Sequence, residues 1–216
     1  MSTSANPPRT PEQIAARHAS IMNHPLRIEP VRDLTDEQRE LLGPPPGFER
    51  YIGRSPGNSK PGEGSEVYRV MAHNPGLLRQ FRTMMPFFMI DGVLPPRDRE
   101  LAILRAAWMR QIPFVWGEHV VIGKRIGMTC EEMDRVAAGS TAPGWNAHDR
   151  AVVRAAEELV DDAMISDSTW EVLAKTLNEA QLVELPLLVG QYLTMGYYQN
   201  SLRIRMWEGN EGLFAR

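Results

Sequence analysis

Two titratable side chains fall on helix faces that otherwise carry apolar residues. His119 shares a helical face with Val115 and Ile122, and Glu100 lies on an apolar stripe with Leu104. A buried carboxylate or imidazole costs free energy unless it meets the other group or a ligand. Because an imidazole can exchange protons near neutral pH and a neighbouring carboxylate can orient it, this pair predicts proton-transfer chemistry.

The same pair also allows two structural interpretations. His119 and Glu100 could form a buried ion pair that fixes the packing of their helices, or they could be water-exposed groups at the rim of a pocket. Glu118 is adjacent to His119 but points about 100° further around the helix. We therefore expect Glu118 to be exposed or to lie at an interface.

The elements that position these residues are predicted to be helices throughout. Apolar residues recur with a helical period after Glu66, and no segment shows the alternation or the tight turn of a β-hairpin. The predicted fold class is therefore all-α. Capping residues, prolines and glycines predict helices at 10–22, 35–42, 66–73, 77–88, 97–110, 113–127, 129–138, 146–162, 167–177 and 178–206.

The chain divides into an N-terminal extension, residues 1–64, and a helical domain, residues 65–216. The extension combines short helices with a loop rich in Gly, Pro, Ser and Asn at 48–64, and we expect disorder over residues 1–10. The loop could cover the site or wrap around a neighbouring subunit. The last long helix is apolar nearly all round, which predicts a position at the centre of the fold or in a subunit interface.

Composition and missing motifs exclude several classes of function. The net charge of −3 without a basic stripe argues against a nucleic-acid partner, and no apolar run approaches the roughly 20 residues that span a membrane. The sequence has no P-loop and no GxGxxG, HExxH or GxSxG motif, so we expect neither a metal nor a cofactor. Cys130 is the single cysteine, which excludes an internal disulfide and fits a cytoplasmic location.

Three segments of the helical domain occur in a recognisable order. Residues 97–107 contain REL-x-IL-x-x-A, residues 116–119 read W-x-x-H, and residues 127–132 contain G-x-x-x-E-E. This order resembles the signature of the carboxymuconolactone decarboxylase / alkylhydroperoxidase D-like superfamily. Segments 149–159 and 181–200 are similar to that superfamily as well, so the resemblance covers most of the helical domain.

The resemblance implies an all-helical fold that assembles into homotrimers or homohexamers. In the peroxidase branch a Glu, a CxxC motif and a His form a proton relay, and Glu100 and His119 match the Glu and the His. Ile112 and Val115 stand at the two cysteine positions, and Cys130 lies beyond His119. Without a thiolate in the motif no disulfide cycle can form, so thiol peroxidase activity is not expected.

The remaining features resemble the decarboxylase branch of the superfamily. This resemblance implies a lyase or isomerase whose small-molecule substrate is an acid or lactone from aromatic compound catabolism. We expect His119 to donate the proton, Glu100 to orient it, and Trp116 and Arg105 to bind the substrate. Arg105 could instead be a surface or interface arginine, and Trp116 an ordinary core residue. A catalytically silent oligomeric protein that binds an apolar acid is the alternative from a different class.

Overall fold

The regular structure of the chain is helical wherever it is described. A computed structural model describes residues 10–44 and 65–216, and these ranges contain no strand, so the all-α prediction is confirmed. Residues 1–9 and the predicted loop at 48–64 lie outside the described residues. The helices are α1 (Pro11–Met22), α2 (Asp36–Leu42), α3 (Glu66–Met71), α4 (Pro75–Ile90), α5 (Pro96–Met109), α6 (Pro113–Arg125), α7 (Cys130–Ala138), α8 (Ala147–Asp162), α9 (Asp167–Leu173) and α10 (Glu179–Leu202), followed by a 3₁₀ turn (Gly212–Phe214). None of these helices is long and apolar enough to cross a membrane.

Several helices begin at the capping residues that the sequence predicts. Asn74 accepts a hydrogen bond from the backbone N–H of Leu77, and Pro75 is the first residue of α4. Thr129 accepts from the N–H of Glu132, whose side chain accepts in return from the N–H of Thr129. These bonds satisfy amide groups that the first turn of a helix leaves unpaired, which is why residue type predicts them.

Two helices end about one turn earlier than predicted. The helix predicted at 167–177 is shorter at its C-terminus, and the last helix, predicted to reach Met206, ends before Arg203. Arg203 has a φ of 59°, and the N–H of the following Ile204 donates to the carbonyl of Gln199. This left-handed cap turns the chain so that Ile204 is buried against the domain instead of continuing the helix.

The central helix is α5, although it carries several charged residues. Every residue of 98–109 is buried, including Asp98, Glu100 and Arg105. Helices α6, α8 and α10 pack around it. The apolar α10 lies on one side of α5 and leaves Val183 63% exposed, so the prediction that α10 could be the centre of the fold is wrong.

Residues 203–216, which we call the C-terminal strap, return along α6 after α10 ends. Leu213 and Ala215 of the strap are buried. The N–H of Leu213 donates to His18 Nε2 of α1 at 3.0 Å, so α1 packs against the strap. The strap therefore lies between the helix that carries His119 and the first helix of the chain.

The described part of the N-terminal extension packs onto the helical domain. Ile14 of α1 belongs to the main core. Leu42 of α2 packs in a smaller cluster with Met71 and Leu78, which lie on α3 and α4. Buried contacts therefore hold both short helices of the extension in place.

Candidate functional site

His119 and Glu100 meet in the interior of the domain. His119 Nδ1 on α6 lies 2.6 Å from Glu100 Oε2 on α5. The His119 side chain is 5% exposed and the Glu100 side chain 0%. A hydrogen bond this short between a carboxylate and an imidazole is charge-assisted and satisfies both buried groups. The interpretation of His119 and Glu100 as water-exposed groups at a pocket rim is therefore wrong. A structural ion pair and a proton-transfer pair would both have this geometry, so both interpretations stay open.

A third charged side chain, Arg99, joins the pair and was not predicted. Its Nε donates to Glu100 Oε1 at 2.9 Å, so each carboxylate oxygen has its own partner. Successive residues of a helix point about 100° apart, so helical spacing gives no reason to expect a contact between neighbours. The guanidinium neutralises the buried carboxylate and leaves Oε2 to His119.

The bond to Glu100 determines which nitrogen of His119 is available for chemistry. When Nδ1 donates to Glu100, a neutral imidazole carries its lone pair on Nε2. Among residues 10–44 and 65–216, Nε2 has no hydrogen-bond partner. His119 Nε2 can therefore take a proton from a substrate or, once protonated, donate one.

Tyr192 of α10 forms a wall beside the imidazole. The ring centroids of His119 and Tyr192 are 4.8 Å apart, with an angle of 88° between the ring planes. The Tyr192 hydroxyl donates to Met89 Sδ of α4 at 3.1 Å. This edge-to-face contact restricts the orientation of the imidazole. No sequence pattern indicates the contact, because Tyr192 lies within a continuous apolar run.

Trp116 lies one turn before His119 and is completely buried. Its Nε1 donates to the carbonyl of Ala215 in the strap at 3.1 Å, and its ring centroid is 4.8 Å from that of Trp108. These contacts account for its burial without any ligand. The expected role of Trp116 in substrate binding stays a prediction.

Arg105 is directed towards the C-terminal end of α7. Its Nη1 donates to the carbonyls of Ala137 at 2.8 Å and Val136 at 3.2 Å, and its Nε lies 2.8 Å from Glu157 Oε1. Cations are favourable at this end of a helix, where carbonyls lack partners. Arg105 is only 1% exposed, so the interpretation as a surface arginine is wrong. Substrate binding by Arg105 stays a prediction.

Glu118 is half-buried, so the expectation of an exposed side chain is wrong. Its Oε2 accepts a hydrogen bond from Trp207 Nε1 of the strap at 3.1 Å. Burial raises the pKa of Glu118, and the nearby His119 imidazole and the Trp207 hydrogen bond partly oppose this rise. The residue faces the strap, which helical periodicity could not reveal.

Aliphatic side chains fill the two positions that hold cysteines in the peroxidase branch. Ile112 is 1% exposed and Val115 is 3% exposed. Ile112 packs against Gly196 of α10 so closely that any side chain at 196 would overlap its Cδ1 atom. The glycine therefore makes the space that the larger Ile112 needs. Cys130 is exposed at the start of α7.

A second carboxylate–histidine pair lies two residues away on the same central helix, near the start of α5. Asp98 Oδ2 is 2.8 Å from His148 Nε2, and His148 Nδ1 is 2.7 Å from the Thr176 hydroxyl. The His148 side chain is 25% exposed. Nothing in the sequence spacing predicts this pair. In the described part of the chain, no three His, Cys, Asp or Glu side chains are arranged to hold a metal ion.

Sequence comparison connects the site to a known family. Residues 75–158 match the model of the carboxymuconolactone decarboxylase family. The matched region contains both Glu100 and His119. No curated protein matches the sequence.

Several solved structures have a fold similar to that of this chain. One is an alkylhydroperoxidase AhpD core protein from Ralstonia eutropha JMP134, described as an uncharacterised peroxidase-related protein. It has 17% sequence identity and a TM-score of 0.65, and the alignment covers 85% of this chain and 93% of that one. A second is a cysteine-to-alanine variant of the debrominase Bmp8 in complex with 2,3,4-tribromopyrrole. It has 13% sequence identity and a TM-score of 0.64, and the alignment covers 86% of this chain and 94% of that one. A third is a candidate antioxidant-defence protein AhpD from Agrobacterium tumefaciens. It has 17% sequence identity and a TM-score of 0.57, and the alignment covers 62% of this chain and 92% of that one. Residues 75–158 are therefore similar to the carboxymuconolactone decarboxylase family, and the fold of the chain is that of AhpD-like helical proteins.

Proposed function

We propose that the chain is a cofactor-independent lyase or isomerase that acts on a small aromatic-derived acid or lactone. The observation that carries the proposal is the 2.6 Å contact between His119 Nδ1 and Glu100 Oε2 in the interior. His119 Nε2 moves the proton, and Glu100 orients the ring and stabilises the imidazolium. Arg99 occupies the other carboxylate oxygen, so that Glu100 stays an acceptor.

In the lyase form of the reaction, the carbon–carbon bond to a substrate carboxylate breaks and CO₂ leaves. The electron pair remains on the conjugated ring as an enolate-like charge, and His119 Nε2–H donates a proton to the carbon that lost CO₂. The imidazole then regains a proton from solvent. In the isomerase form, neutral Nε2 removes a proton from one carbon of the substrate and returns it to another.

Two relatives support a small cyclic substrate. The matched family takes its name from the decarboxylation of a carboxymuconolactone, and the debrominase structure holds 2,3,4-tribromopyrrole. Both molecules are small unsaturated rings. A thiol-dependent reaction finds no support, since Ile112 and Val115 stand at the cysteine positions.

One observation favours a second candidate, a catalytically silent binding protein of the same fold. Glu100 is fully enclosed and His119 is 5% exposed, and a purely structural ion pair would have the same burial. The two candidates differ in turnover. A binding protein retains an apolar acid unchanged, whereas the proposed enzyme releases a product.

The test is an assay of unsaturated five-membered lactones, with and without a carboxyl group, followed by chromatography of the products. His119→Ala should lower turnover of an accepted lactone by at least about 100-fold, since general acid–base groups contribute about 10²–10⁴-fold. His148→Ala is the matched control, because that imidazole also bonds to a carboxylate of α5. Wild-type turnover in His119→Ala would remove His119 from the mechanism.

We also propose that the chain self-associates, as a homotrimer or homohexamer, through the groove between α4 and α10. The groove has a volume of about 790 Å³ and is lined mainly by apolar side chains. Phe87 on α4 and Val183 and Leu187 on α10 are 46%, 63% and 61% exposed. Large apolar patches of this kind are typical of subunit contacts, and a helix ridge of a second copy would fit between two helices.

Light scattering tests this proposal. The wild-type protein should have a multiple of the 24.4 kDa chain mass, and Leu187→Asp should lower it by placing a charge in the contact. Met164→Asp is the control, since Met164 is 69% exposed and is not among the residues that line the groove. A wild-type monomer at micromolar concentration would overturn the proposal.

A further inference from the structure

The C-terminal strap holds the side chains on both sides of Gly117, two residues before His119. Trp116 Nε1 donates to the Ala215 carbonyl at 3.1 Å. Trp207 Nε1 donates to Glu118 Oε2, also at 3.1 Å. Two indole N–H groups, one on the helix and one on the strap, therefore tie α6 to the strap directly before the imidazole.

Between these two bonds, the strap touches the backbone of α6 at Gly117. Any side chain at 117 would overlap Asn210 Oδ1, so only glycine allows this approach. Asn210 Nδ2 donates to the Phe114 carbonyl at 3.1 Å, and Asn210 Oδ1 accepts from the N–H of Gly212 at 2.8 Å. Asn210 is 8% exposed, and its amide joins the helix to the strap backbone.

The three contacts surround the helix. Residues 116, 117 and 118 point about 100° apart from one another, so the strap engages α6 on three different sides. A rotation or a slide of this turn breaks at least one of the contacts. The contacts thus fix the helix in the turn from which the His119 side chain projects.

The strap region that makes these contacts is also anchored elsewhere. The N–H of Leu213 donates to His18 Nε2 at 3.0 Å. Arg216 Nε lies 2.6 Å from Asp134 Oδ1 of α7. The strap is therefore attached to α1 and α7 as well as to α6, and its position does not depend on α6 alone.

We infer that the strap holds His119 in place against Glu100, and that Asn210 and Trp207 are positioning residues of the proton-transfer site. This inference rests on the proposed function. Neither side chain bonds to His119 or Glu100, so both act through the turn 114–118. A displacement of a reacting group by about 1 Å can cost on the order of 100-fold in rate, so a small movement of this turn is enough.

The experiment compares Asn210→Ala and Trp207→Phe with Glu208→Gln, an exposed strap residue as control. Asn210→Ala should lower kcat by at least about tenfold, with KM changed less than about twofold, because misplacement affects the reacting group more than binding. Trp207→Phe keeps an aromatic ring but loses the N–H, and a smaller decrease in kcat is expected. Glu208→Gln should match the wild type.

A second readout does not need a substrate. The proton in the 2.6 Å bond between His119 and Glu100 should give a far-downfield, slowly exchanging NMR resonance, as strong charge-assisted bonds do. It should broaden or shift in Asn210→Ala and Trp207→Phe and stay unchanged in Glu208→Gln. If Asn210→Ala does not fold, Trp207→Phe decides.

The inference is overturned if the folded strap variants keep both the wild-type kcat and the wild-type resonance. It survives a failure of the proposed function, because the resonance reports on the position of His119 even when no lactone is turned over. Conversely, loss of turnover in His119→Ala with no effect of either strap variant would support the function and exclude the strap.

Discussion

Helix α5 carries two carboxylates that each bind a histidine, and the two pairs have different surroundings. Glu100 binds His119 at 2.6 Å, and both side chains are buried. Asp98 binds His148 at 2.8 Å, and the imidazole is 25% exposed. The hydroxyl of Thr176 occupies the second nitrogen of His148, whereas Nε2 of the buried imidazole has no partner within the described ranges.

The difference shows that a carboxylate–histidine bond does not by itself mark a reactive site. His148 uses both ring nitrogens to tie the starts of α5 and α8 to the segment after α9, so no nitrogen is left for a substrate. His119 uses one nitrogen for orientation and keeps the other.

The largest expected effect comes from breaking the buried pair. Glu100→Ala leaves Arg99 and His119 buried without their acceptor, and we expect a loss of about 3–5 kcal/mol in the free energy of unfolding. Asp98→Ala removes the partner of a partly solvated imidazole and should cost less, about 1–2 kcal/mol. Urea denaturation followed by circular dichroism measures both. Equal losses would mean that the difference in burial has no energetic consequence.

The side chains that bond to the two pairs, Arg99 and Thr176, should also differ in their contribution to stability. Arg99→Met removes a charged donor from a buried carboxylate, for which we expect a loss of about 2 kcal/mol in stability. Thr176→Val removes an exposed hydroxyl and should change stability by less than about 0.5 kcal/mol. The same denaturation experiment ranks them. The comparison fails if Thr176→Val is the more damaging change.

His18 provides a smaller effect with a defined pH dependence. Burial lowers the pKa of His18, and its Nε2 accepts from the N–H of Leu213, so the neutral ring is the bonded form. The stability it supplies is present above the ordinary pKa and is lost as pH falls through the lowered pKa. His18→Ala should cost about 1 kcal/mol near neutral pH, and the difference from wild type should shrink in acid. Thermal melts over a pH series measure this slope.

His148 should give a smaller effect than His18, with the opposite slope. The hydrogen bond to Asp98 raises the pKa of His148, so its protonated form stabilises the fold. That contribution is complete below the ordinary pKa and is lost as pH rises through the raised value. His148→Gln should therefore cost less than about 1 kcal/mol, and more in mild acid than in mild base. A flat or inverted difference between melts at the two pH values contradicts the assigned protonation.

The sequence predicted those parts of the fold and site that depend on local periodicity and capping. Helical spacing placed Glu100 and His119 on faces that meet, and Asn74 and Thr129 mark helix starts that the structure confirms. These features depend on residues within a few turns of one another. Periodicity and residue type are sufficient for them.

The parts that the sequence could not predict depend on contacts between distant segments. Charged residues are typical of a solvent-exposed helix face, yet Arg99 and Arg105 of α5 are buried. Arg99 donates to the Glu100 carboxylate, and Arg105 donates to the carbonyls at the end of α7. Asn210 packs against Gly117, and these two residues are far apart in the chain, so local periodicity gives no sign of their contact. Likewise, a glycine at 196 gives no sign that Ile112 fills the space beside it.

The most direct test of the account follows a single proton. An accepted lactone is turned over in D₂O by the wild type, His119→Gln and His148→Gln, and the product is examined by proton NMR. The account predicts one deuterium at the protonated carbon with wild type and His148→Gln, and a rate at least about 100-fold lower with His119→Gln. Turnover by His119→Gln at the wild-type rate, or no turnover of any lactone by the wild type, would contradict it.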